Sequence, residues 1–162
     1  MNDPTEPLYA SLGPAPFVFT PQAPDQLVPA FSLSFKLLAW GMLLGLAGWM
    51  AAHPQSWHTQ AALWGVLAWG LMAATVWAIT RSRTRLNAQE LFQSWLWNKK
   101  MPICELAYAK LIRVPGLDWL IAPRLYVRNL TGKFTVIYCA DAAVIQDMQR
   151  LCKELDTFRK RL

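Results

Sequence analysis

Two long apolar runs, joined by a short polar loop, dominate the first half of this chain. The first spans residues 30–52 and carries one charge, Lys36. The second spans residues 59–80, and its stretch from Ala61 to Thr80 carries none. Written as helices rising ~1.5 Å per residue, each is long enough to cross a hydrocarbon core of ~30 Å. Lys36 lies near the start of its run, where a long side chain reaches back to the interface. The six-residue loop 53–58 predicts an antiparallel helical hairpin. Small residues recur at four-residue spacing, Gly41 with Gly45 and Gly70 with Ala74. Such rows let backbones approach closely, and they are expected to pack the hairpin or a second copy.

Beyond Arg85 the period shortens. Arg83–Leu86 reads as a strand, and Leu91–Trp97 as an aromatic strand. Asn98-Lys99-Lys100 reads as a polar turn, and Met101-Pro102-Ile103 as an edge strand or strand start, because proline cannot donate to a ladder. Glu105–Lys110 is compatible with a single helical turn. Residues 124–129 and 133–140 flank Leu130-Thr131-Gly132, the pattern of a hairpin with glycine in its loop. The last segment is helical: Val144, Met148, Leu151, Leu155, Phe158 and Leu162 recur every three or four positions behind Asp141, an N-cap residue type. A barrel-like antiparallel sheet over about 83–140, capped by a helix over about 141–160, is the expected α+β unit. Residues 1–29 hold seven of the eleven prolines and no hydrophobic period, which predicts a disordered tail. Leu8, Tyr9, Phe17, Val18 and Phe19 are candidate docking groups within it. The expected domains are thus tail 1–29, spans 30–80 and a cytoplasmic domain 81–162.

Charge adds a direction. The net charge is +6. Residues 81–162 hold 15 of the 16 Lys and Arg, whereas the loop 53–58 and the tail hold none. Arg81, Arg83 and Arg85 follow the second run at once. By the positive-inside rule, both termini and the last domain face the cytoplasm across the inner membrane. A cleaved signal peptide does not fit, since 29 acidic, Pro-rich residues precede the first run. Cys104, Cys139 and Cys152 have no CxxC spacing and read as reduced thiols.

Short strands closed by one amphipathic helix, after a helical hairpin, resemble the bacterial pleckstrin-homology-like (PH-like) membrane proteins. The resemblance rests on Thr84-Arg85-Leu86 with its turn to Glu90-Leu91, on Met101-Pro102-Ile103-Cys104-Glu105-Leu106, on the glycine hairpin and on the closing helix. It covers residues 81–160, or the whole chain with its anchor. Small membrane proteins with a YcxB-like C-terminal domain have a similar layout. The resemblance implies a membrane-anchored, non-catalytic scaffold whose PH-like barrel holds a membrane-protein partner or a second copy.

The chemistry left over is sparse. His53 and His58 both lie in the loop, with no carboxylate or thiol beside them to complete a metal site. No cytoplasmic histidine serves a catalytic triad, and no phosphate-binding glycine motif occurs. Catalytic residues, cofactors and metals are therefore not expected, and neither is a nucleic-acid partner. The basic residues Lys99, Lys100, Arg113, Arg124 and Arg128 are the candidate lipid-headgroup contacts, and they underlie an alternative reading as an anionic-lipid sensor. Leu117, Trp119, Leu120 and Ile121, an apolar loop, form the candidate partner face.

Overall fold

The computed structural model describes residues 16–53 and 60–161. The tail residues 1–15, with Leu8 and Tyr9, the loop residues 54–59 and Leu162 lie outside them. The chain enters as a two-residue strand, β1 (Val28–Pro29), and runs into α1 (Leu33–Ala52). After the loop, α2 (Gln60–Arg81) returns and passes directly into β2 (Arg83–Leu86). Three strands complete the first sheet and begin the second: β3 (Glu90–Gln93), β4 (Lys99–Pro102) and β5 (Leu106–Ile112). They are followed by β6 (Arg124–Asn129), β7 (Phe134–Tyr138) and α3 (Ala142–Arg161). The strands form two antiparallel sheets, β1-β2-β3-β4 and β5-β6-β7.

The two apolar helices are long and apolar enough to cross a membrane by length and composition. Only 6% and 11% of the residues in their most apolar windows are buried, unlike a soluble core helix. The small-residue rows do not make the hairpin contact. Gly41, Gly45, Gly70 and Ala74 are exposed, and a Cβ added at any of these three glycines would meet nothing within 4 Å. Indoles bridge the helices instead. Trp40 Nε1 donates to Thr80 Oγ1 at 3.1 Å, and Trp69 Nε1 donates to the Leu43 carbonyl at 3.2 Å. Side chains of that size hold the axes too far apart for a glycine-to-glycine approach.

The strand-rich unit follows the expected alternation, with four corrections. First, β3 ends at Gln93 rather than Trp97. Ser94 still exchanges hydrogen bonds with Arg83, but Trp95 then turns away to pack on Phe31. Second, Lys99 and Lys100 belong to β4, opposite Gln93 and Phe92, and not to a turn. Third, the helical turn falls on Ile103–Glu105, a 3₁₀ turn, and Leu106–Lys110 is strand. Pro102 sits on β4, an edge strand, as its missing N–H requires.

The fourth correction concerns the tail. Over residues 16–29 it is part of the fold. Phe17 and Phe19 are buried in the same core as Leu91, Leu125, Ile137 and Met148. Phe17 packs on Phe158, with ring centroids 5.5 Å apart. Asp147 of α3 is 2% exposed, and its Oδ2 accepts from the Gln22 and Ala23 amides at 2.8 and 2.7 Å. Arg150 donates to the Thr20 carbonyl and covers the Phe19 ring. Isolated aromatics among prolines show no sequence period, so only the completed core displays their role.

The closing helix is as read. Asp141 Oδ1 accepts from the Val144 amide at 3.1 Å, and Val144, Met148, Leu151 and Leu155 are buried. At the β6–β7 turn Gly132 has φ +86°, a conformation that favours glycine.

Phe19→Ala is expected to cost about 3 kcal/mol, the usual loss for a buried phenylalanine. Denaturant unfolding of the full chain in detergent checks it. A change under about 0.5 kcal/mol, typical of a surface site, would return the segment to a free tail.

Candidate functional site

The site grows out of the junction between hairpin and sheets. The segments entering α1 and leaving α2 pair as antiparallel strands, Val28 with Thr84 and Pro29 with Arg83. The Ala30 amide donates to the Ser82 carbonyl at 3.2 Å, and the Ala140 amide to the Pro29 carbonyl at 3.2 Å. Ser32 caps α1, its Oγ accepting from the Phe35 amide at 3.3 Å. The same hydroxyl donates to the Leu120 carbonyl at 3.2 Å and so ties the β5–β6 loop to the first turn of the helix.

Between these elements lies a cleft of about 460 Å³. Phe31 is buried and stacks on Phe35 and Tyr138, with centroids 5.6 and 5.1 Å apart. Trp95 packs on Phe31 at 5.6 Å. Ile79 from the last turns of α2, with Ile121 and Ala122 from the loop, completes the apolar lining. Lys99 and Arg124 are the two charged residues that line it.

Lys99 is half-buried, and its Nζ donates to the Val136 carbonyl at 3.2 Å. Desolvation lowers its pKa from the ordinary lysine value. Neither Lys99 nor Arg124 has an acidic partner among the described residues. The other basic candidates are placed differently. Arg113 forms an ion pair with Asp118 at 2.6 Å, which raises its pKa through that hydrogen bond. Lys100 is exposed above the Phe92 ring, and Arg128 is exposed on β6. Of the five cations, Lys99 and Arg124 line this cleft, and Lys99 also lines a second one with Lys100 and Lys133.

The apolar loop divides as well. Leu117 and Trp119 are exposed, Trp119 at 61%. Leu120 and Ile121 are half-buried, one tied to Ser32 and the other lining the cleft. Trp119 therefore does not fold into the core. Sequence reasoning missed the aromatic cluster of Phe31, Phe35, Trp95 and Tyr138. Phe31 and Phe35 stand four positions apart around the start of α1, but Trp95 lies in the bend after β3 and Tyr138 in β7, so no spacing links the whole cluster. It also missed Gln93, fully buried, whose Oε1 accepts from the Tyr138 amide at 3.4 Å and helps close the two sheets against each other.

Two thiols are shielded. Burial pushes Cys139 up to about 12 and Cys152 up to about 11, so both stay protonated at neutral pH. Cys104 is exposed. His53 packs on Trp49, while His58 lies outside the described residues. Among the described residues no group of three or more His, Cys, Asp or Glu gathers as a metal site.

The thiolate is the reacting form, and raised pKa values suppress it below the folded pKa. Native protein treated with a maleimide at about pH 8 is therefore expected to take up one label, at Cys104, and three after unfolding. Intact-mass measurement checks this, and rapid native labelling at Cys139 would contradict the buried placement. Compared with known proteins, the chain matches no family model, no curated protein and no solved structure.

Proposed function

We propose that this chain is a membrane-anchored, non-catalytic interaction module. In this reading α1 and α2 cross the inner membrane as a hairpin. The sheets and α3 form a PH-like body on the cytoplasmic side, with both termini there, and the body holds a membrane-protein partner or a second copy. The observation that carries the reading is the junction. Both inner ends of the hairpin are strands of the first sheet, so the body sits at a set position beneath the helices. The sides of those helices are apolar and unburied, as lipid contact requires. Sheets of four and three strands closed by a C-terminal helix support the PH-like reading. One feature departs from a simple anchor followed by a domain: β1 precedes the hairpin, so the spans form an insertion between β1 and β2.

Leu117 and Trp119 support an interaction face, since large exposed apolar side chains on one loop often mark contact surfaces. The outward rows of Gly41–Gly45 and Gly70–Ala74 offer close approach to a further helix.

Topology is testable with the native thiol. A membrane-impermeant maleimide is expected to reach Cys104 only after spheroplasts are permeabilised, and the protein is expected to resist alkaline carbonate extraction. Labelling of intact spheroplasts would put the body on the outer side, and release by carbonate would remove the anchor.

Trp119→Ala tests the interaction face. It is expected to leave unfolding stability within about 0.5 kcal/mol, as for other exposed positions. It is expected to reduce the high-mass species trapped by cross-linking in native membranes. Unchanged cross-linking would dismiss this loop as the contact surface.

A further inference from the structure

We propose that the cleft at the inner end of the hairpin binds one anionic phospholipid, its phosphate held by Lys99 and Arg124 and its upper acyl segment laid against Phe35 and Ile79. This rests on the membrane reading above and adds a ligand to it.

Three observations converge. The first is charge. The lining carries two cations and no carboxylate, and neither cation has an acidic partner among the described residues. Arg113, Arg85 and Arg150 each have one. Lys99 gives one N–H to Val136 and keeps two donors, and the Arg124 guanidinium adds five. A phosphate diester offers the acceptors and the charge that this pair lacks.

The second is the apolar wall. Phe35 lies in the first turn of α1 and Ile79 near the end of α2, so the lining runs without a break into the unburied sides of the hairpin. An acyl chain following a helix side reaches the cleft without leaving hydrocarbon. A small soluble anion would use the cations and leave the wall empty. A neutral apolar ligand would fill the wall and leave both charges unanswered.

The third is size and rigidity. A volume of about 460 Å³ falls within the range of about 300–1,000 Å³ usual for small-molecule sites. The walls are held by the Ser32–Leu120 hydrogen bond, the stacking around Phe31 and the β1–β2 pairing, so the site is formed before a ligand arrives. Lys100 and Arg128 do not line it, and Lys100 instead shares a second cleft with Lys99 and Lys133.

Native mass spectrometry of the full-length, detergent-purified protein tests the proposal. The protein is titrated with phosphatidylglycerol and with phosphatidylcholine of matched chains. Phosphatidylglycerol is expected to bind at one site with at least about tenfold preference, the scale of about 1 kcal/mol per basic group. Lys99→Gln/Arg124→Gln is expected to abolish the preference. Lys110→Gln/Lys153→Gln removes the same charge at exposed positions elsewhere and is expected to keep it. The single variant Arg124→Gln, at a side chain with no ion pair, serves if the double variant fails to fold, and it is expected to weaken the preference severalfold. Equal binding of the two lipids, or a preference retained without Lys99 and Arg124, overturns the proposal. Displacement of the lipid by soluble glycerol phosphate at matched concentration also overturns it, by reducing the site to one for a free anion. Carbonate extraction of the same preparations separates the two levels. A resistant protein with no lipid preference loses only the lipid site, whereas an extractable one loses the membrane reading too.

Discussion

The pairing of β1 with β2 is the constraint on which the rest of the structure depends. Two apolar helices alone would hang from a domain by flexible joints. Here the residues entering α1 and those leaving α2 are hydrogen-bonded neighbours, with Val28 opposite Thr84 and the Ala30 amide on the Ser82 carbonyl. The hairpin ends are thereby held one strand spacing apart, ~4.8 Å between backbones. The helices above must diverge or be spaced by their side chains, and indoles from Trp40 and Trp69 do the spacing. The same constraint explains why Gly41, Gly45, Gly70 and Ala74 face outward. Their rows are unused within the hairpin and remain open for other helices.

The cleft follows from the same junction. Where a helix meets a sheet edge, the change of direction leaves a volume that no regular element fills. Phe31, Trp95 and Tyr138 line it, brought there from the chain before α1, the bend after β3 and the end of β7. The two sheets are not joined by a continuous backbone ladder at this end. Polar side chains close the gap: Thr84 Oγ1 donates to the Tyr138 carbonyl at 2.6 Å, and Lys99 donates to that of Val136. Each bond satisfies a backbone acceptor that would otherwise be left without a partner. Lys99 thus spans the two roles of the site, as a link between β4 and β7 and as a cation facing the cleft.

At the opposite side of the fold, the segment before β1 acts as a strap over α3. Asp147 is buried, yet it has two backbone N–H donors and the Arg150 guanidinium within reach, at 2.7–3.3 Å. Together they satisfy a carboxylate whose burial without partners would be costly. The strap therefore couples residues 16–29 to the last helix, and through β1 to the hairpin.

Much of this was legible in the order of residues. Apolar run length located α1 and α2 to within a few positions, because a long apolar run without internal proline propagates as one continuous helix. The stripe from Val144 to Leu155 and the cap at Asp141 located α3, and Leu130-Thr131-Gly132 located the β6–β7 turn. These are local properties, set by period and by backbone conformation. Other features depended on which distant segments meet. Residues 16–29 looked disordered because prolines break every period, yet Phe17 and Phe19 complete a core whose other members come from all seven strands, the 3₁₀ turn and a helix. Lys99 and Arg124, 25 positions apart, came to line one cleft only through strand register and sheet closure. Five scattered cations looked equivalent in one dimension. Tertiary structure paired one with an acid, exposed two and set two against an apolar wall, because burial and pairing are relations between elements and are not written in any one of them.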